Sequence, residues 1–218
     1  MMKKKIDVVN EVVNLVKRDL VMGRLALGEH ISEDSLIYRL DIKRNAAREA
    51  LAELDRQGVI EIAPFRGAYV RRLSADDVRQ IFDTLCVLYR AWGGMIDGPL
   101  AKPAVDELER RRLLHSESVE RGDPEAIYLA NASFHAGVLS TLDNRFLAET
   151  IDRMESYLHN VRYHLVFSRK EYTDEGCLQH AAMVRYLHDG DGEAFAEVCI
   201  MHISHAKNYY SNSNVFLK

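Results

Sequence analysis

Residues 23–70 read GRLALGEHISEDSLIYRLDIKRNAAREALAELDRQGVIEIAPFRGAYV, in which two short amphipathic helices run into a hairpin tipped by glycine. Ser32 is in position to cap the first helix, and Leu36 and Leu40 share one of its faces. After a tight turn, the second helix carries one buried stripe, formed by Ala47, Ala50, Leu51 and Leu54. The segments VIEI and AYV follow as two strands around a turn. This order of elements predicts a winged helix-turn-helix.

Basic side chains lie on the face of the second helix away from its apolar stripe. Arg44 and Arg48 are one helical turn apart there, so both can reach base edges in a DNA groove. Asn45 is in position to cap this helix, and Lys43 before it can contact a phosphate. Arg66 gives the hairpin a positive tip that suits a phosphate or the minor groove.

Past the hairpin, turn residues divide the chain into helix-length segments with hardly any strand alternation. The predicted helices span Ser74 to Trp92, Ala104 to Arg121, Pro124 to Leu142, Arg145 to Phe167, Tyr172 to His188 and Gly192 to Tyr210. Apolar residues on the fourth of them recur in steps of four and three along one side. The sequence therefore predicts a mainly α protein, with a winged helix-turn-helix and its small β-hairpin wing at residues 1–72 and an antiparallel six-helix bundle at residues 73–218.

Charge and cysteine content agree with this division. Residues 1–72 contain 14 Lys and Arg against 11 Asp and Glu, whereas the remainder contains 15 against 22. A mildly basic head on an acidic body suits a protein whose N-terminal part faces DNA. The 3 cysteines are widely spaced and without a CxxC pair, which favours a reducing cytoplasm over a disulfide framework. Because no apolar run reaches the length of a membrane span, we expect a cytoplasmic protein without a membrane partner.

Three predicted helices of the body each direct one histidine toward the interior. His135 follows Asn131 by one turn on an apolar face, and His180 and His202 lie in apolar stripes of later helices. A single inward histidine is more often a hydrogen-bonded core residue than a ligand. Three on separate helices shift that balance toward a ligand, and neutral imidazoles suit zinc or nickel, but spacing alone does not decide for a metal ion. A metal-free polar pocket is the alternative.

The spacing GxLxxGExxSExxLxxxLxxxRxxxREALxxLxxxGxIxxxPxRGxxV in residues 23–70 resembles the DNA-binding domain of GntR-type bacterial transcription regulators, and the likeness continues through LSADDVRQIFD at residues 73–83. Farther along, SFHAGVL at 133–139, LQHAAM at 178–183 and IMHI at 200–203 resemble the FCD-type helical effector domain of the fatty-acid-responsive, FadR-like branch. The resemblance covers nearly the whole chain. It implies a homodimeric regulator that binds pseudo-palindromic double-stranded DNA and responds to a small molecule.

The helix predicted to bind DNA differs from the usual family sequence at several positions. The family usually has Ser-Arg-Thr-Pro-x-Arg where this chain has Lys43, Arg44, Asn45, Ala46, Ala47 and Arg48. Loss of the threonine and proline changes the start of the helix, so we expect a sequence preference different from that of relatives. His30 stands where relatives often carry a DNA-contacting arginine. The DNA-binding residues that we expect are Lys43, Arg44, Asn45, Arg48, Arg66 and Gly67.

For the body, the resemblance implies a metal site. A helix of the family carries Asp-x-x-Phe-His, and its aspartate joins that histidine and two later ones around a metal, which matches Asn131, His135, His180 and His202 here. Because an amide brings no negative charge, the ion would keep its full charge and favour an anionic effector, such as a carboxylate, as a further ligand. The family's pocket arginine is absent from the first body helix, and Arg162 is the candidate replacement as an effector anchor. We interpret the others as surface or ordinary core histidines: His30, His115, His159, His164, His188 and His205.

These observations predict a ligand-responsive bacterial transcription regulator, a repressor released from operator DNA by a small anionic metabolite. The alternative is a metal-dependent hydrolytic enzyme in which the histidine cluster activates water. No nucleophile or general-base motif accompanies the histidines, so we expect that the protein is not an enzyme. A structural helical adaptor is the third class, and it leaves the basic hairpin unexplained.

Overall fold

The computed structural model describes residues 5–158 and 170–211, which form two compact units. The first unit comprises the chain through Leu73 together with residues 156–158, and the second comprises Ser74–Glu155 and the described residues after 169. The remaining residues lie outside the described part of the chain and include His159, Arg162 and His164. Among the described helices, none is both long and apolar enough to cross a lipid bilayer.

The first unit contains the elements of a winged helix-turn-helix. Its helices are α1 (Lys5–Val21), α2 (Glu33–Leu40) and α3 (Arg44–Arg56), and its strands are β1 (His30–Ile31), β2 (Ile60–Ala63) and β3 (Gly67–Val70). The strands form an antiparallel sheet in the order β1-β3-β2, with Ile60 opposite Val70 and Ala63 opposite Gly67 at the tip. The predicted fold is confirmed here, although β1 is too short to leave a periodic signal in the sequence.

The two helices of the helix-turn-helix begin in different ways. The Ser32 hydroxyl accepts a hydrogen bond from the Ser35 amide at 3.3 Å, as expected of an N-cap. The cap residue of α3 is Lys43, whose carbonyl oxygen accepts the Ala47 amide at 3.2 Å. The prediction that Asn45 caps α3 is therefore wrong. Asn45 lies in the first turn of the helix, where its side chain is exposed.

Helix α1 supplies one wall of the core of the first unit. Val12, Val16 and Leu20 are buried, and they belong to one cluster with Leu54 of α3 and Ile60 of β2. Their spacing marks an apolar helical face. Full burial of an aliphatic side chain contributes roughly 1.5–3 kcal/mol. Helix α1 is therefore an integral part of this unit.

All the regular secondary structure in the described part of the second unit is helical. Its helices are α4 (Ala75–Gly93), α5 (Lys102–Arg121), α6 (Pro124–Leu139), α7 (Arg145–Tyr157), α8 (Lys170–Asp189) and α9 (Gly192–Ser211). Helix α4 packs against α9, α9 against α8, α8 against α5, and α5 against α6. The predicted C-terminal helical region is confirmed.

Polar side chains define two of the helix ends. Ser74 and Asp77 cap the start of α4 reciprocally, each side chain binding the backbone amide of the other. Helix α6 ends at Leu139 and not at Leu142 as predicted. The hydroxyl of Ser140 turns back and donates to a carbonyl oxygen of the last turn at 2.6 Å, which competes with continuation of the helix.

Two glycines let α4 and α9 approach each other backbone to backbone. A Cβ atom on Gly93 would lie 2.3 Å from the Gly192 carbonyl oxygen, and one on Gly192 would lie 2.1 Å from the Gly93 oxygen. Both separations are far inside van der Waals contact. Next to this crossing, Trp92 and Phe195 meet edge to face with 4.9 Å between ring centroids. The two helices therefore touch through main chain on one side and through aromatic rings on the other.

One buried carboxylate joins three segments of the first unit. The Asp19 side chain in α1 is only 3% exposed, and it accepts hydrogen bonds from Arg24 at 3.2 Å and from Arg39 of α2 at 2.8 Å. The Asp19 carbonyl oxygen also accepts the Arg24 and Leu25 amides at 2.8 and 3.2 Å. Asp19 thus positions the end of α1, the following turn and α2 together.

We expect Asp19→Asn to lower the unfolding free energy of the first unit by about 1.5–3 kcal/mol, the usual contribution of hydrogen bonds to a charged group. Asp34→Asn is the matched control, because the Asp34 carboxylate pairs with an arginine at the exposed surface and should contribute under about 1 kcal/mol. Amide hydrogen exchange of α1 and α2 in the full chain measures both. Equal protection in the two variants would contradict the structural role of Asp19.

Candidate DNA-binding surface and histidine cluster

The exposed face of α3 carries the arginines that the sequence singled out. The side chains of Arg44 and Arg48 are 55% and 60% exposed. Each pairs with an acid in the first turn of α2: Arg44 Nη2 lies 2.8 Å from Asp34 Oδ1, and Arg48 Nε lies 3.1 Å from both carboxylate oxygens of Glu33. The acids therefore hold the guanidinium groups in defined positions on the surface.

These ion pairs affect how the arginines can read DNA. An exposed ion pair contributes about 0–1 kcal/mol, whereas a bidentate contact to guanine contributes about 1–3 kcal/mol, so guanine can displace the carboxylates. A DNA phosphate that approaches the same arginines is repelled by the negative charges of Glu33 and Asp34. In the sequence, the two acids indicate only a favourable helix dipole. Their contacts with α3 cross the turn and leave no spacing signal.

The hairpin between β2 and β3 forms the wing. The Arg66 amide donates to the Ala63 carbonyl oxygen at 3.1 Å, which closes a four-residue turn with Pro64 second and Phe65 third at a φ of +62°. A turn of this type normally has glycine or asparagine in the third position. A bulky residue in the left-handed region costs on the order of 1–3 kcal/mol. The Phe65 ring is nevertheless fully exposed, so no packing offsets that cost.

Gly67 follows the turn with a φ of +93°, and a Cβ atom there would lie 2.7 Å from His30 Nε2. The backbone angle favours glycine here, because side chains with a Cβ atom rarely adopt it. The His30 ring meets the Tyr69 ring edge on at 5.1 Å, and the Arg66 guanidinium lies 5.7 Å from the same Tyr69 centroid. The wing thus carries two rings and a cation side by side. Lys43, at the start of α3, is exposed in the same unit.

In the second unit, three helices bring together the histidines expected to bind metal. His135 lies on α6, His180 on α8 and His202 on α9. Their candidate ligand nitrogens all lie within 4.8 Å of one another, and their ring centroids are 5.0 to 5.1 Å apart. This spacing suits three donors that converge on one small ion.

His180 is the centre of the cluster. Its side chain is fully buried, and neither ring nitrogen has a hydrogen-bond partner among the described residues. Burial and the neighbouring His135 and His202 hold the pKa of His180 well below its usual value, so the ring is neutral. The Phe134 ring stacks on it with 4.2 Å between centroids. Because each unsatisfied buried polar atom costs roughly 1–3 kcal/mol, the arrangement favours a ligand that uses a His180 lone pair.

His202 presents a defined tautomer. Its Nδ1 lies 2.7 Å from Gln179 Oε1, and Gln179 Nε2 donates to Glu175 Oε1 at 3.0 Å. Because the amide nitrogen of Gln179 is directed at a carboxylate, its oxygen accepts the Nδ1 proton of His202. In this tautomer the lone pair of the His202 ring is on Nε2, which is how hydrogen bonds behind a metal-binding histidine usually orient it.

A fourth histidine, which spacing alone did not single out, adjoins the cluster. His115 of α5 is buried with its ring centroid 4.8 Å from that of His180, and its Nδ1 lies 3.6 Å from Cys177 Sγ. Burial, with a smaller contribution from His135, lowers the pKa of His115 to about 4. The interpretation of His115 as an ordinary core histidine misses this contact. One signal was present: His115 is seven residues after buried Leu108, on the same side of α5.

Asn131 and Arg162 are the other two residues predicted for the pocket. Asn131 is half-buried on α6, one turn before His135, and therefore on the same side of that helix. Arg162 lies outside the described residues. On α4, the Tyr89 hydroxyl donates a hydrogen bond to the Glu155 carboxylate.

Comparison with known proteins gives two family matches. Residues 8–70 match the model for bacterial regulatory proteins of the gntR family, and residues 99–205 match the model for the FCD domain. The first match spans the winged helix-turn-helix, and the second spans α5 to α8 and most of α9, including all four clustered histidines.

Individual proteins similar to this chain are named as transcriptional regulators. The transcriptional repressor RspR of Escherichia coli is 25% identical over 197 residues, which cover 88% of this chain and 84% of that protein. The transcriptional regulator BphR of Paraburkholderia xenovorans is 26% identical over 200 residues, with coverages of 86% and 79%. The solved structure of Escherichia coli McbR/YncC is 19% identical, covers 98% of this chain and 100% of that one, and has a TM-score of 0.79, which supports the fold.

We expect acid to destabilise the second unit when metal is removed by a chelator. Since the pKa of His115 is lowered from 6.5 to about 4, the unfolded chain takes up this proton first. The contribution of neutral His115 to the unfolding free energy is fully present above pH 6.5. It is lost progressively, by about 3 kcal/mol in total, as the pH falls toward 4. Urea unfolding from pH 7 to 4 measures this loss. His115→Gln should flatten the curve, whereas His188→Gln, at an exposed position, should not, and parallel curves for both variants would disprove the assignment.

Proposed function

The chain belongs to the gntR family of bacterial regulatory proteins and carries an FCD domain, and from this premise we propose that it is a transcriptional repressor released from its operator by a small anionic molecule. RspR, a relative over most of its length, is named a repressor. The observation that carries the ligand-responsive part is the buried His180, whose ring nitrogens have no partner among the described residues. A chain with an exposed arginine face on one unit and such a centre in the other suits a regulator with separate DNA and effector sites.

The proposed DNA complex is that of a homodimer. Helix α3 enters the major groove with Arg44 and Arg48, Asn45 reads from its first turn, and the wing contacts the flanking backbone or minor groove through Arg66. One small winged helix contacts too little DNA for specific affinity by itself, so two copies would bind two half-sites of a pseudo-palindrome. Ligand binding in the second unit would change the spacing of the two recognition helices and so favour release.

The proposed metal ligands are His135, His180 and His202, with the Asn131 amide oxygen as a weaker fourth. The neutral His180 and the oriented Nε2 lone pair of His202 fit a borderline ion such as zinc or nickel. When bound, the ion supplies a positive charge that an anionic group, such as a carboxylate, can coordinate. Asn131 leaves that charge uncompensated, and Arg162 is the proposed additional anchor for the effector.

A hydrolytic metalloenzyme receives no support from the relatives. RspR and BphR are both named for transcriptional regulation, and residues 8–70 of this chain match bacterial regulatory proteins. The polar groups described around the cluster act in positioning, since Gln179 orients His202 and Glu175 orients Gln179. Turnover assays of the metal-loaded protein against ester and amide substrates would distinguish the two classes.

We expect Arg44→Ala to weaken binding of the preferred duplex by about 1–3 kcal/mol and to relax base preference at one position of each half-site. Lys43→Ala is the comparison variant, because loss of a phosphate contact weakens all sequences similarly and lowers the salt slope by about one. Titrations against a randomised duplex library at several salt concentrations measure both effects. Unchanged affinity of the Arg44 variant would exclude α3 as the recognition helix.

We expect Asp34→Asn to strengthen binding to random-sequence DNA more than binding to the preferred duplex. The change removes a negative charge beside Arg44 and so reduces repulsion of phosphates, which dominate sequence-independent binding. Asp106→Asn in the second unit also removes an exposed carboxylate and controls for net charge. If both variants bind random DNA equally well, the Asp34 pair does not govern the approach of DNA.

For the metal, we expect Asn131→Asp to tighten binding of a divalent ion by roughly tenfold, about 1.4 kcal/mol, because a carboxylate adds negative charge to the shell. The same change should weaken binding of carboxylate ligands to the loaded protein. Elemental analysis and chelator competition measure occupancy, with His180→Ala as the variant expected to lose the ion. If neither the natural protein nor the Asn131→Asp variant holds a stoichiometric ion, the histidines line a metal-free pocket.

A further inference from the structure

The tip of the wing carries an aromatic side chain in a position that the backbone assigns to glycine. Phe65 occupies the third place of the turn closed by Arg66 and Ala63, at a φ of +62°, and Gly67 lies two residues later. Asp41 is the other non-glycine residue with positive φ in the described chain, and it ends α2 as a short polar residue often does. A phenylalanine has no such local reason to adopt this conformation.

The surroundings of Phe65 exclude a structural role for the ring. Its side chain is fully exposed, so the ring contributes nothing to the core of the first unit. The strained turn and the exposed apolar ring therefore both lower the stability of the folded state. A strained and exposed residue of this kind is expected where it contacts a partner.

The chemistry of the tip indicates which partner. Arg66 follows Phe65 directly, and it forms no ion pair with any carboxylate of the described residues, in contrast to Arg44 and Arg48. A cation beside a single projecting ring suits a narrow, electronegative groove. A protein partner would instead require a contiguous apolar patch of a few hundred Å², and the turn offers one ring and Pro64.

We propose that Phe65 is a wedge that enters the minor groove at the edge of each half-site and partly unstacks one base step. This inference rests on the proposed DNA-binding function and adds a mode of readout to it. Apolar side chains inserted between base pairs bend DNA away from the minor groove. Pyrimidine–purine steps open most easily. The wing then selects flexible TA or CA steps without forming a hydrogen bond to any base.

Three substitutions separate the ring from the turn. Phe65→Gly removes the ring and relieves the backbone strain, so this variant should fold at least as well as the natural protein. Phe65→Asn keeps a residue that tolerates the left-handed region but is polar. Phe65→Leu keeps an apolar wedge and the strain. The glycine and asparagine variants should therefore behave alike, and the leucine variant should resemble the natural protein.

The probe is a 30-base-pair duplex recovered by selection on the natural protein from a randomised library. It carries a fluorophore at each end to report bending and 2-aminopurine at the flanking step to report unstacking. We expect the natural and leucine proteins to bend the duplex and to raise 2-aminopurine fluorescence. The glycine and asparagine variants should bind at least fivefold more weakly, without the fluorescence rise, and should lose the preference for TA and CA steps.

Two results overturn the proposal and are distinguishable from each other. If the natural protein recovers no duplex, the DNA-binding function fails and the wedge fails with it. If the glycine variant binds, bends and unstacks the duplex as the natural protein does, the wedge alone is wrong. In that second case, a change in the sedimentation of the free glycine variant would identify the ring as a contact between protein molecules.

Discussion

A neutral imidazole, buried without a hydrogen-bond partner among the described residues, is the constraint on which the second unit depends. Helices α5, α6, α8 and α9 each place one histidine in or beside the cluster, and the ring of His180 lies at its centre. Burial keeps His180 uncharged, so one of its ring nitrogens offers a lone pair and the other an N–H donor. The Phe134 ring stacks on His180 with 4.2 Å between the ring centroids. The proposed metal ion would bind through the lone pair of His180.

In the first unit, by contrast, the charged groups proposed to contact DNA are the exposed arginines of α3, and they must stay accessible. Glu33 and Asp34 hold two arginines of α3 in place without burying them. A guanine edge offers two acceptors that replace those of a carboxylate, whereas a phosphate brings negative charge toward the same acids. In the proposed DNA complex, the ion pairs would therefore lower affinity for the DNA backbone more than affinity for the correct base. Specificity is the ratio of the two, so it rises even as total affinity falls.

Local patterns made much of this structure predictable. The stripe of Ala47, Ala50 and Leu54, the N-cap at Ser32 and the inward histidines on α6, α8 and α9 all follow from spacing along a single helix. The features that were missed involve partners distant in sequence. They are the α1 wall of the core, the two-residue strand β1, the Lys43 cap, the Glu33 and Asp34 ion pairs, and the contact of His115 with His180. Each of these features depends on a contact between residues of different segments. Tertiary packing determines such contacts, and the periodicity of a single helix does not reveal them.

The crossing of α4 and α9 has a consequence for how this chain can change over generations. Gly93 and Gly192 each occupy the space into which a side chain of the other would extend. A single substitution at either position therefore requires the helices to separate, and separation would break the adjacent contact between Trp92 and Phe195. No second substitution at the partner position can compensate, because glycine already has the smallest possible side chain. Neither glycine can therefore be replaced without cost, and neutral substitutions in the two helices are expected at other positions.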